Sequence, residues 1–153
     1  MGEDGSGPHL IEEFEVIKNK CLDAYEDAMD FAEDNLVPTN ALKVQVALRM
    51  TMALHDLCGW SLDALCVGKK TLLRAEKFNA ISTRTLEEEE VAVLQVLRDF
   101  VGMLETFLAR RKIYKTESGR KFADLKELDE EENDDGNRNA GQFEKFVTDR
   151  RKR

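Results

Sequence analysis

Chain breakers are scarce in this sequence: two prolines and nine glycines in 153 residues. With so few breakers and so many Leu, Ala, Glu, Lys and Arg residues, the composition points to helix. No apolar run approaches the roughly 20 residues that a bilayer span needs, so no membrane partner is expected. The start, Met1-Gly-Glu-Asp, lacks a basic region and an apolar stretch, which argues against a secretory signal. Cysteine is limited to Cys21, Cys58 and Cys66, all within apolar patterns and with no CxxC pair. An odd count of this kind reads as reduced thiols in a cytoplasmic setting. Histidine is rarer still, at His9 and His55. Two histidines supply neither a metal-ligand set nor a base for a serine or cysteine nucleophile, so no cofactor, no metal and no enzymatic activity are expected. Gly68-Lys69-Lys70-Thr71 is not a phosphate-binding loop, because position 63 is Asp where that loop needs its first glycine.

What is present is charge, 35% of the chain, and it is blocked. Residues 1–40 carry eleven acids and two bases, and residues 41–81 three acids and six bases. Residues 82–116 balance; residues 117–141 are acidic again; residues 142–153 hold five bases and two acids. The overall charge of −8 therefore conceals basic clusters at Lys69 to Lys77, Arg110 to Lys121 and Arg150 to Arg153. Such clusters can hold phosphates with a salt-dependent affinity, or can be solvated helix faces and ends.

Apolar residues at 10, 14, 17, 21, 25, 28, 32 and 36 form one stripe of a helix from about His9 to Leu36, with Pro8 suited to its first turn. Glu33 and Asp34 near its end oppose the helix dipole and need a base nearby. Val37-Pro38 breaks the chain, and Thr39 or Asn40 caps a second helix that ends at Gly59. A third helical stretch covers about Ser61 to Ala80, with a break expected at Gly68. Thr85 and Glu88 have the spacing of a capping box and open a long helix to about Lys115. Its heptad-like face, Val93, Leu97, Phe100, Leu104 and Phe107, serves the core or a neighbouring protomer. A weaker helix is expected from Arg120 to about Glu131. Residues 129–141 read as a solvated linker, and Phe143, Phe146 and Val147 followed by Arg150 to Arg153 as a docking peptide or a frayed tail.

The most informative segment is Leu65-Cys66-Val67-Gly68-Lys69-Lys70-Thr71-Leu72-Leu73-Arg74. Within residues 61–74 it resembles the helix-turn-helix DNA-binding motif, matching at Leu65, Val67, Lys69, Lys70, Thr71, Leu72 and Arg74. On a helix, Lys70, Arg74 and Lys77 fall within about 60° of one another, opposite Leu72 and Ala75. One basic and one apolar face suit a helix held on a core and offered to a major groove. The resemblance implies that Lys69, Lys70, Thr71, Arg74 and Lys77 contact DNA, with Arg110, Arg111 and Lys112 extending the phosphate-binding surface. The competing reading of the same residues is an ordinary amphipathic helix that happens to be basic.

The sequence thus predicts an all-α, multi-helix bundle. A core domain spans residues 1–116, with the motif at about 58–80 and the long helix at about 85–115; residues 117–153 form an acidic linker and basic tail. In architecture it resembles the small terminase subunit of tailed phages. That resemblance implies a homo-oligomer that recognises double-stranded DNA during genome packaging in a host cytoplasm, with a protein partner bound through the tail. The alternative is a helical protein-interaction or adaptor module with no nucleic-acid role.

Overall fold

The computed structural model describes residues 3–124, with side chains from residue 9 onward. These residues form four helices and no strand: α1 (Glu3–Asn35), α2 (Ala41–Asp56), α3 (Ser61–Ile81) and α4 (Glu88–Arg111), followed by a single 3-10 turn at Lys121–Ala123. The protein is all-α, as its composition predicts. The segment 125–153, with the rest of the expected weak helix, the linker and the docking peptide, lies outside the described residues.

The third helix is central. It packs on α2, on α4 and on the 3-10 turn, while α1 packs on α2. Its core contacts fall into two clusters. One joins Val44, Leu72, Ala75, Val93, Leu94, Leu97 and Val101; the other joins Leu22, Met50, Leu54, Ala64, Val67 and Leu104. The long helix therefore spends its apolar face inside its own chain. Val93, Leu97 and Leu104 are buried there with Leu94, Val101 and Leu108, and Phe100 and Phe107 are half-buried.

Gly68 does not break α3, which runs on without a turn from Ser61 to Ile81. Its role is steric. A Cβ built at Gly68 would lie 2.9 Å from Val101 Cγ2 and 3.3 Å from Thr51 Cγ2, so the glycine lets α2 and α4 close on α3. The residue that reads as a turn is a helix-crossing contact.

Helix boundaries follow local chemistry. The Asn40 side chain accepts hydrogen bonds from the Leu42 and Lys43 backbone N–H groups at 2.9 and 3.3 Å, the expected start of α2. The capping box of α4 is Glu87 with Glu90, two residues later than Thr85 with Glu88. Leu86 must first pack against the core, and only past it does the chain turn into helix. The Glu87 N–H donates to Glu90 Oε1 at 2.8 Å, and Arg84 pairs with Glu90 Oε2 at 2.8 Å. The same helix stops at Arg111, short of Lys115, because Lys112 takes the left-handed conformation at φ 54°. At the other end of the chain α1 begins at Glu3, ahead of the expected start, so Pro8 lies beyond the first turn. There it costs the helix the bond its missing N–H would have donated.

After α4 the chain returns across the bundle. Asp63, wholly buried at the start of α3, accepts the backbone N–H groups of Glu117 and Ser118, both at 2.9 Å. Arg120 reaches α1, pairing with Asp23 at 2.8 Å and Glu26 at 3.0 Å. Phe122 packs against the second core cluster and Ala123 is buried. Residues 117–124, expected to start a linker, instead strap α1 to α3.

Candidate functional site

The basic face of α3 is not offered to solvent. Lys70 is 5% exposed, and its ammonium donates to the Phe122 carbonyl at 3.0 Å. Thr71 is buried and returns its hydroxyl to the Val67 carbonyl at 2.9 Å within α3. Arg74 pairs with Glu33 of α1 at 3.2 Å. Lys69 and Lys77 are half-buried, and of the expected contact residues only Arg110, Arg111 and Lys112, at the far end of α4, are exposed. Arg111 lies over the Phe107 ring, 3.7 Å from its centroid. The structure thus gathers Lys70 and Arg74 on one side of α3, as their spacing requires, but that side faces α1 and the strap.

The cause is the blocked charge. The acidic leading helix lies against the basic second block, and Glu33 meets two cations, Arg74 and the buried Lys43, the latter at 3.3 Å. Lys43 also donates to the Leu36 carbonyl at 3.4 Å, at the C-terminal end of α1. This is the base that Glu33 needed near the negative end of the helix dipole. Between α1, α3 and the strap remains a cleft of about 390 Å³. Its walls carry Glu26, Asp30 and Glu33 against Lys70, Arg74 and Lys121, over a floor that includes Met29 and Phe122. Charge of both signs is balanced across it, so the cleft favours no anion.

Large apolar side chains are exposed at several places, among them Phe31, Leu42 and Ile81, and a run of them lies close together on α1 before Lys18. This helix is held to the bundle from Lys18 onward. Lys18 is buried, with its ammonium 4.9 Å from the Trp60 ring centroid and 2.7 Å from Glu15. Before Lys18, every residue from His9 to Ile17 is exposed. Leu10 is 60% exposed, Ile11 67% and Ile17 63%, with Phe14 and Val16 also exposed. At 100° per residue, Leu10, Ile11, Phe14 and Ile17 share an arc of about 120°. Ile11 and Phe14 continue the same helical line as Leu22, Tyr25, Met29 and Ala32. The stripe that buries α1 on α2 therefore runs on into a stretch where every residue from His9 to Ile17 is exposed. Glu13 flanks this arc on one side and Glu15 on the other.

The sequence pattern places residues 10, 14 and 17 on the same stripe as the later, buried ones. The stripe is continuous, and periodicity alone does not say where the underlying partner ends. That every side chain from His9 to Ile17 stands exposed before the first buried one at Lys18 is a tertiary fact.

Other reactive groups are structural. His55 shares a 2.9 Å hydrogen bond with the Ser61 hydroxyl and meets the Phe100 and Phe107 rings edge-on. Burial pushes the Cys66 thiol up to about 11 and raises Cys58 as well. Among the described residues no three His, Cys, Asp or Glu side chains stand together as metal ligands, and no helix is long and apolar enough to cross a membrane. No protein-family model matches the chain, and no curated protein matches it.

Proposed function

We propose that this chain is a helical protein-interaction module whose docking surface is the projecting first half of α1. The observation that carries this reading is the exposed arc Leu10, Ile11, Phe14 and Ile17, a continuation of a packing seam that has lost its support. A contiguous exposed apolar arc on a charged helix is the usual form of a helix-in-groove or helix-on-helix contact. No catalytic chemistry is proposed.

The nucleic-acid reading keeps one observation in its favour, the exposed Arg110, Arg111 and Lys112. It has less support at its expected centre. A groove-reading face needs Lys70, Thr71 and Arg74 in solvent, and here Lys70 and Thr71 are buried while Arg74 is paired with Glu33. An oligomeric genome-packaging role would rest on the α4 cluster alone.

Two measurements on the full chain separate the readings. A benzophenone side chain placed at position 14 is expected to photocross-link to a partner protein in cells, with the adduct lost in Leu10→Glu/Ile17→Glu. An equivalent probe at the exposed Glu105 serves as control. Fluorescence anisotropy with duplex DNA is expected to show no binding at 150 mM salt. Salt-sensitive binding abolished by Arg110→Glu/Arg111→Glu, with no adduct at position 14, would move the assignment to nucleic acid.

A further inference from the structure

The exposed arc on α1 has a complement within the same chain. We infer that the C-terminal segment Phe143–Arg153 docks intramolecularly on residues 10–17 of α1 and masks them; this rests on the reading of that face as a docking surface. Three observations point to this occupant.

The first is shape. Phe143, Phe146 and Val147 lie on one side of a helical projection, within about 100°. They supply the apolar strip that Leu10, Ile11, Phe14 and Ile17 lack.

The second is charge. Residues 9–17 carry Glu12, Glu13 and Glu15 and no Lys or Arg, whereas residues 142–153 carry five bases against two acids. Glu13 and Glu15, the latter also paired with Lys18, flank the apolar arc, Glu12 lies behind it, and the bases follow the apolar strip. A second copy of α1 would instead bring the same two flanking carboxylates to the same face, and a polyanion would be repelled from it.

The third is where the chain leaves the bundle. The strap ends at Asp124, beside Phe122, which packs with Leu22 of α1 in the second core cluster. Arg120, four residues earlier, grips Asp23 and Glu26. The emerging chain is therefore already on α1, and Phe14 lies about 14 Å along the helix from Asp23. Residues 125–142 have a contour length of about 60 Å, several times that distance. Tethering over so short a span corresponds to a local concentration in the millimolar range, so a contact too weak to hold two separate molecules suffices here. Masking of this kind makes any external helix displace the tail before it binds.

Zero-length carbodiimide cross-linking of the full chain tests this directly, because it joins a carboxylate to a lysine only when the two are in contact. The expected product links Glu13 or Glu15 to Lys145 or Lys152. It should run at monomer mass, with a yield that does not change over a twentyfold dilution. Phe143→Glu/Phe146→Glu, made in the full chain, should lower that yield by about tenfold or more while leaving the thermal melt unchanged. Absence of the link, or its confinement to dimers, overturns the proposal, the second outcome giving the arc to another copy. If the link is absent while the position-14 benzophenone adduct persists, the docking surface stands and only its internal occupant is lost. Absence of both removes the surface as well.

Discussion

Gly68 illustrates how a residue's meaning depends on what stands over it. In an exposed helix, alanine in place of glycine would stabilise by up to about 1 kcal/mol. Here the added methyl meets Val101 at 2.9 Å and Thr51 at 3.3 Å, so two packed helices must give way. We expect Gly68→Ala to destabilise by about 1–3 kcal/mol, read as a lower urea midpoint at unchanged slope. Cys66 makes a second residue-scale prediction. Its thiol titrates near 11 in the folded chain against an ordinary 9.0. Between these values the unfolded chain releases the proton and the folded chain keeps it, so stability falls as pH rises from about 9 toward 11. The alkaline decline in Tm should be shallower in Cys66→Ala than in the parent, and Cys66 should resist maleimide at pH 8 until the protein unfolds.

Among the elements, the strap depends most on a single side chain. Asp63 sits wholly buried at the start of α3 and holds two backbone N–H groups from a segment more than fifty residues away. Removing it strands both donors and cuts the tie between the returning chain and the bundle. Asp63→Ala should cost about 2–4 kcal/mol and open residues 113–120 to proteolysis before the helices melt. Asp63→Asn keeps one acceptor and offers an amide where the second is needed, so it should fall between parent and alanine. The start of α4 is likewise a polar device. Desolvation is the largest influence on Glu90 and pushes its carboxyl up, but the Glu87 N–H and the Arg84 guanidinium together outweigh it and hold it below the ordinary value. Stability from this cap is present above about pH 4.5 and is lost as pH falls through the depressed folded value. Arg84→Ala should flatten the acid side of the Tm profile.

At the scale of the whole molecule, the alternating charge blocks are the organising fact, and they explain what the sequence could and could not disclose. The four helices, a cap at Thr39 or Asn40 and the apolar face of the long helix follow from periodicity and capping chemistry, which are local; that this face packs within its own chain does not. The cationic line of α3 was also legible, since Lys70, Arg74 and Lys77 must share a side. What covers that line was not, because the acidic helix lies some forty residues upstream and the strap some fifty downstream. Opposite charges read as a surface for a foreign polyanion when each block is taken alone, and as each other's partners once folded. The expected linker at 117 failed for a related reason: its anchor is a lone aspartate in α3, and a single buried carboxylate leaves no pattern.

The unsupported start of α1 has an energetic corollary. The nine exposed residues from His9 to Ile17, opening just after Pro8, are fewer than an isolated helix in water needs to hold itself together. Left bare, these turns would spend part of their time uncoiled. Whatever settles on them must supply the ordering free energy, and the resulting affinity then varies with helix propensity at sites that never touch the ligand. Substituting Val16, on the far side of the helix from the arc, with alanine would strengthen binding without adding a contact.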